Sequence, residues 1–201
     1  MVIESVSDSQ RLHLLAPGTR AASPRQRCSI CCGKCAKRIS HNIYYIYAEA
    51  STDEQARGWR GSLYNNQGWT YHDQGDYERA LECFQKALKW QQEHGTARNI
   101  GIARWCVGRT LRSMQHTTEA LALQQELLAD WERSGEEQDG YIFEEIGECL
   151  FVLGRAAESL PYFAQAYALL SQDPWLVAHE KERLERLKQL GEESEEARHA
   201  Q

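Results

Sequence analysis

The sequence predicts an all-α protein, an α-solenoid of antiparallel helix pairs with about three units and a C-terminal capping helix. Three observations predict it. Gly68, Gly108 and Gly147 recur at intervals of 40 and 39 residues, and an internal period of this length means stacked units rather than one closed core. The apolar residues around each glycine follow helical spacing, most clearly in the first unit: Tyr64, Gly68, Tyr71, Ala80, Phe84 and Ala87. Turn and cap residues then punctuate the pattern at matching places: Gly75-Asp76, Gly95, Gly135, Gly154 and Asp173-Pro174.

Taken in order, residues 1–51 form a basic, cysteine-containing segment without usable periodicity, broken by Pro17, Gly18, Pro24 and Gly33. At its end, residues 42–50 are apolar and short, and beside the helical pattern that begins near Thr52 they resemble the end of a helix more than a strand. The three units occupy residues 52–172. Thr52 and Asp53 are N-cap types, and the first helix is expected to run to about Asp73, the second from Tyr77 to His94 with Gly95 as C-cap. The next pair covers about Ala97 to Met114 and Thr117 to Ser134, closed by Gly135. The third covers about Gly140 to Leu153 and Ala156 to Leu170, where Asp173-Pro174 stops it. Residues 173–201 supply the cap: a helix from about Trp175 to Leu190 with a narrow apolar stripe (Leu176, Leu184, Leu187, Leu190), Gly191 after it, and a frayed tail.

The balance of charge narrows the partners. The formal charge is −6, yet residues 1–40 carry seven Lys+Arg against two Asp+Glu, so the rest of the chain is strongly acidic. Such a body repels phosphates, and no nucleic-acid partner is expected. No run of about 18 apolar residues exists, so no membrane span is expected either. The first ten residues do not read as a secretory signal. The seven cysteines are then expected to be reduced thiols in a cytoplasmic compartment.

The residues at the repeated positions resemble the tetratricopeptide repeat, whose pattern sets an aromatic, Leu-Gly and Tyr in the first helix, and Ala, Phe and Ala in the second. The first unit gives Tyr64, Gly68, Tyr71, Ala80, Phe84 and Ala87. The second gives Val107, Gly108, Leu111, Ala120 and Leu127, and the third Phe143, Ile146, Gly147, Leu150, Phe163 and Ala166. The period exceeds the family's usual ~34 residues, and this length, with the Asn65-Asn66 pair, is similar to kinesin light chain-type arrays and to bacterial peptide-sensing arrays. Four positions depart from an apolar pattern: Gln67 in place of Leu, Gln124 in place of the aromatic, Ser159 in place of Ala, and Gln74 on an apolar side. Pro161 removes a helix donor, which requires that helix to start late or bend.

The resemblance implies a protein that binds other proteins without catalysis, with the first helix of each unit lining a concave groove. The candidate groove residues are Asn65, Asn66, Trp69 and His72, then Trp105, Arg109 and Arg112, then Glu144 and Glu148. Asparagine amides can both donate to and accept from an extended backbone. Tryptophans serve as apolar anchors, and arginines hold carboxylates in a fork. The expected partner is a protein or peptide ligand that can carry an acidic group. Equally, Arg109 and Arg112 can pair with Glu144, Glu145 or Glu148 of the neighbouring helix. No catalytic motif is present, and neither an enzyme nor a cofactor is expected.

A different class of function would reside in the cluster Cys28, Cys31, Cys32 and Cys35: a metal- or redox-responsive protein. Four thiols can hold zinc, but the two Cys-x2-Cys halves touch, leaving no residues between them for a surrounding loop. A third reading is a peptide-sensing regulatory module of a larger system.

Overall fold

In a computed structural model the described residues are 59–135 and 138–199, with side chains through Glu192. They form eight helices and no strand: α1 Arg60–His72, α2 Tyr77–His94, α3 Ala97–Ser113, α4 Thr117–Ser134, α5 Gly140–Val152, α6 Ala156–Leu170, α7 Pro174–His179 and α8 Lys181–His199. The expected start of the first helix near Thr52, the apolar stretch 42–50 and the cysteine cluster all lie outside these residues. The chain divides into two compact units, one ending at Thr96 and the other starting at Ala97.

Within the first unit α1 and α2 form an antiparallel pair. Asp76 caps α2 by accepting from the Arg79 N–H at 3.3 Å. A Cβ placed on Gly68 would sit 2.6 Å from the Phe84 ring, and one on Gly61 would sit 2.6 Å from the Gln91 amide and 2.7 Å from Trp90. The helices therefore cross closely at two levels, seven residues apart on one face of α1. Ala80, Phe84 and Ala87 are fully buried between them. Gly95 is extended rather than left-handed (φ −94°, ψ 176°). It is the C-cap expected from the sequence, its N–H donating to the Gln91 carbonyl at 2.7 Å, but in the extended form, and α3 begins two residues later.

The second unit repeats the arrangement twice and adds a cap. Gly101 meets Trp131 and Gly108 meets Gln124 between α3 and α4; Gly140 meets Leu170 and Gly147 meets Phe163 between α5 and α6. Gly68, Gly108 and Gly147 thus each face the residue sixteen positions on, and Gly61, Gly101 and Gly140 the residue thirty positions on. The Gln124 position departs from the aromatic pattern, and the side chain is fully buried. Its Nε2 donates to the Trp105 carbonyl at 3.2 Å, while its Oε1 has no partner. Ser159 is equally buried, and its hydroxyl is satisfied within α6 by the Ala156 carbonyl at 2.8 Å. Gln74 is exposed in the α1–α2 turn, not on an apolar side. Pro161 lies inside α6, which starts at Ala156 and so does not start late. The carbonyl it leaves without an N–H belongs to exposed Ala157, where water can serve.

The C-terminal region differs from expectation. Asp173 and Pro174 do not only stop α6; Asp173 caps α7 by accepting from the Trp175 N–H at 2.8 Å, with Pro174 at the first helical position. The single cap helix is two, broken at Glu180, and the second continues through Gly191 to His199 instead of fraying. Gly191 is no stop signal. A Cβ there would lie 2.8 Å from the Ala164 Cα, so this glycine lets α8 pack directly on the backbone of α6. Leu184 and Leu187 are buried in the same contact.

Candidate functional site

The first helices of successive pairs carry the candidate residues, and the repeat fixes their register. Counting by the 40 and 39 residue intervals, Asn65, Trp105 and Glu144 are equivalent, as are Trp69, Arg109 and Glu148, and His72, Arg112 and Phe151. One further step reaches Arg183 on α8, which therefore stands where the first helix of another pair would stand.

In the first unit Asn65 is buried and Asn66 half-buried, with the Asn66 carbonyl accepting from Thr70 Oγ1 at 3.0 Å. Trp69 is buried. Its ring meets Phe84 edge-on at 5.1 Å and His72 at 5.2 Å, and His72 continues the cluster to Tyr77 at 5.1 Å. Trp105 in the second unit is buried too; its indole N–H donates to the Tyr141 carbonyl at 3.1 Å. Neither ring stands out as the exposed anchor expected from the sequence. Trp69 packs within its own pair, against Phe84, whereas Trp105 packs against Tyr141 of the next first helix, α5.

The charged residues of the second unit form a ladder across α3, α5 and α8. Glu145 accepts from Arg109 Nη1 at 2.6 Å and from Arg112 Nε and Nη2 at 2.7 and 2.9 Å. Glu144 accepts from Arg183 Nε at 2.8 Å and from its Nη2, and Arg183 also donates to Glu180 at 2.9 Å. Glu148 accepts from both terminal nitrogens of Arg186. Of the two roles that the sequence leaves open for Arg109 and Arg112, interhelical pairing is therefore realised, through Glu145. Arg183 and Arg186 lie outside the stripes that helical spacing selects. The register signals Arg183, which follows Glu144 by 39 residues, one repeat interval; Arg186 lies one helical turn further along α8.

Depth separates the two signs. The carboxylates lie beneath, with side-chain exposures of 1% for Glu145, 8% for Glu144 and 14% for Glu148, under guanidiniums at 21% for Arg109, 22% for Arg112, 19% for Arg183 and 48% for Arg186. Burial alone pushes the Glu145 carboxyl up, but the two adjacent guanidiniums outweigh it and hold it at about 2. For Arg112, burial acts downward and is outweighed by Glu145, so its pKa is raised. Cys149, packed beneath the ladder, is pushed up to about 12 by burial and by Glu145, and Cys83 in the first unit to about 11 chiefly by burial. Both are inert thiols at neutral pH. Among the described residues no group of His, Cys, Asp or Glu could hold a metal ion, and no helix is long and apolar enough to cross a membrane.

Two family models, both described as tetratricopeptide repeat, match the chain, one at residues 62–89 and one at residues 108–174. The first covers most of α1 and α2. The second begins in α3 and ends with Pro174. Comparison with curated proteins and with solved structures gives no match.

Proposed function

Because this chain belongs to the tetratricopeptide repeat family, a family of protein-interaction scaffolds, we propose that it binds an acidic, extended segment of a partner protein along the first-helix face, without catalysis. The observation that carries this reading is the layering of the ladder. A ligand approaching α3, α5 and α8 meets guanidinium edges first, because the carboxylates that fix them lie deeper. Arg186 uses one N–H of each terminal nitrogen on Glu148. Its guanidinium carries five N–H groups in all, so donors remain for a second carboxylate. The buried glutamates act here as positioning groups. They hold long, flexible side chains in one geometry before the ligand arrives, which lowers the entropy cost of binding.

The test uses two synthetic extended peptides of equal length, one rich in Glu and one with Gln at the same positions. The Glu peptide is expected to bind more tightly, to weaken steeply as salt rises, and to lose about tenfold on Arg186→Gln. Equal binding of both peptides, or an affinity indifferent to both salt and Arg186→Gln, would overturn the reading.

A further inference from the structure

The four guanidiniums of the ladder are not equally open. Arg186, at 48%, is more than twice as exposed as Arg109, Arg112 or Arg183. Its guanidinium lies over the ring of Phe163, 5.8 Å from the centroid. Phe163 is fully buried, and a Cβ on Gly147 would stand 2.9 Å from it, so the α5–α6 crossing fixes this ring. Phe151 meets the same ring edge-on at 6.4 Å. Both distances run to one centroid, which places the Arg186 guanidinium and the Phe151 ring within about 12 Å of each other. Glu148, the carboxylate that holds Arg186, precedes Phe151 by three residues and shares its face of α5.

The repeat supplies two comparisons for Phe151. His72 and Arg112 hold the equivalent place. His72 lies against the rings of Trp69 and Tyr77, and Arg112 is turned to Glu145. The third unit carries a phenyl ring there instead, 45% exposed, so the fold does not require an aromatic residue at this point. The ring stands beside the most exposed cation of the ladder. A carboxylate that takes the spare N–H groups of Arg186 therefore brings its neighbours in sequence to Phe151. A polar neighbour leaves the ring in water; an apolar one removes both surfaces from it. In an extended segment, side chains two residues apart share a face and stand about 7 Å apart, inside the separation of the two groups. We infer that Phe151 is a specificity-determining residue of the guanidinium face. The segment bound there carries a large apolar side chain, two residues from the acidic residue held by Arg186, and that side chain packs on Phe151. This rests on the acidic-segment reading above and adds a second requirement to it.

The experiment titrates the full chain with the Glu-rich peptide and its Gln counterpart, each made with a central Leu two residues from the nearest Glu or Gln, or with Ser in its place. Wild type, Phe151→Ser and Phe151→Leu are compared after circular dichroism shows each folded, and Phe151→Gln replaces Phe151→Ser if that variant is not. Leu for Ser is expected to tighten the Glu peptide about fivefold on wild type, and Phe151→Ser to remove this gain while the Glu peptide with Ser stays within about twofold. Phe151→Leu, which keeps an apolar side chain, should retain the gain. A merely structural role for Phe151 would weaken both peptides alike. No gain from Leu on wild type, or a gain that survives Phe151→Ser, would overturn the inference while leaving the preference for Glu over Gln intact. Loss of that preference on wild type would overturn the acidic reading, and this inference with it. A dimer in sedimentation that Phe151→Ser dissolves, or binding to neutral vesicles that it abolishes, would also overturn the inference, assigning the ring to a second copy or to a lipid surface.

Discussion

Glu145→Gln is the sharpest test of how the second unit is held together. The wild-type carboxylate is buried and accepts three hydrogen bonds from two arginines on the neighbouring first helix. Glutamine keeps the volume and can still accept an N–H, but it leaves two guanidiniums facing each other without their anion. Removing one partner of such a buried group costs about 3–5 kcal/mol. A second route gives a similar magnitude. A carboxyl held at about 2 rather than its ordinary 4.5 stabilises the folded state by about 3 kcal/mol at neutral pH. The sign follows from the lowered pKa: this stabilisation is complete above the unfolded value, 4.5, and is lost as pH falls toward 2. Urea unfolding at pH 7 should therefore show Glu145→Gln about 3 kcal/mol less stable than wild type. The gap should narrow as the pH is lowered through about 4 to about 2.5. A difference under about 1 kcal/mol at pH 7, or one that stays constant on acidification, would refute the reasoning. Replacing the whole group, as Arg109→Met/Arg112→Met/Glu145→Leu, should recover much of the loss, because no unpaired charge then remains.

Three further substitutions test the packing. Gly68→Ala would put a methyl 2.6 Å from the buried Phe84 ring; overpacking of about 1–3 kcal/mol exceeds the ~1 kcal/mol of helix propensity gained, so thermal melting should fall by several degrees, and a rise would disprove the close crossing. Gln115→Gly relieves a left-handed conformation (φ 67°) that glycine adopts in the two equivalent turns, and should stabilise by about 1 kcal/mol, read as an increased urea midpoint with unchanged slope. Gln124→Leu removes a buried, unpartnered Oε1 and should be neutral or stabilising by about 1 kcal/mol; a marked loss of stability in urea would show that the bond to the Trp105 carbonyl outweighs it.

The helix pairs are legible because their spacing is written in residues that have no substitute. The α2, α4 and α6 boundaries agree with the sequence reading: Asp76 caps α2, left-handed Gly135 closes α4 and left-handed Gly154 precedes α6, each beside a periodic apolar face. Information carried jointly by distant positions is harder to see. The second glycine series, Gly61, Gly101 and Gly140, has the same 40 and 39 residue intervals as the first, but taken singly each reads as a helix terminus or an isolated weak former. Gly191 misleads for the opposite reason. A glycine followed by an acidic tail looks like a stop, and only the backbone of α6 lying against it shows that it is a contact.

The candidate site is less legible because helical spacing says which residues share a face, not which of them reach the surface. Trp69 and Trp105 stand on the predicted stripe, yet they are buried, Trp69 against Phe84 and Trp105 against Tyr141, because large rings on a face shared with a packed neighbour fill the interface. The arginines on the same stripe behave differently. Their stems lie along the helices while their charged ends stay at the edge of water, so a position equivalent to a buried tryptophan can still present a cation. Trp69 and Arg109 are one repeat apart, and this contrast is why chemistry in a repeat protein cannot be transferred from unit to unit by register alone. Register gives the place; length and polarity of the side chain decide whether that place is core or surface. On α3, α5 and α8 the outcome is a surface whose donors are fixed from below by buried carboxylates.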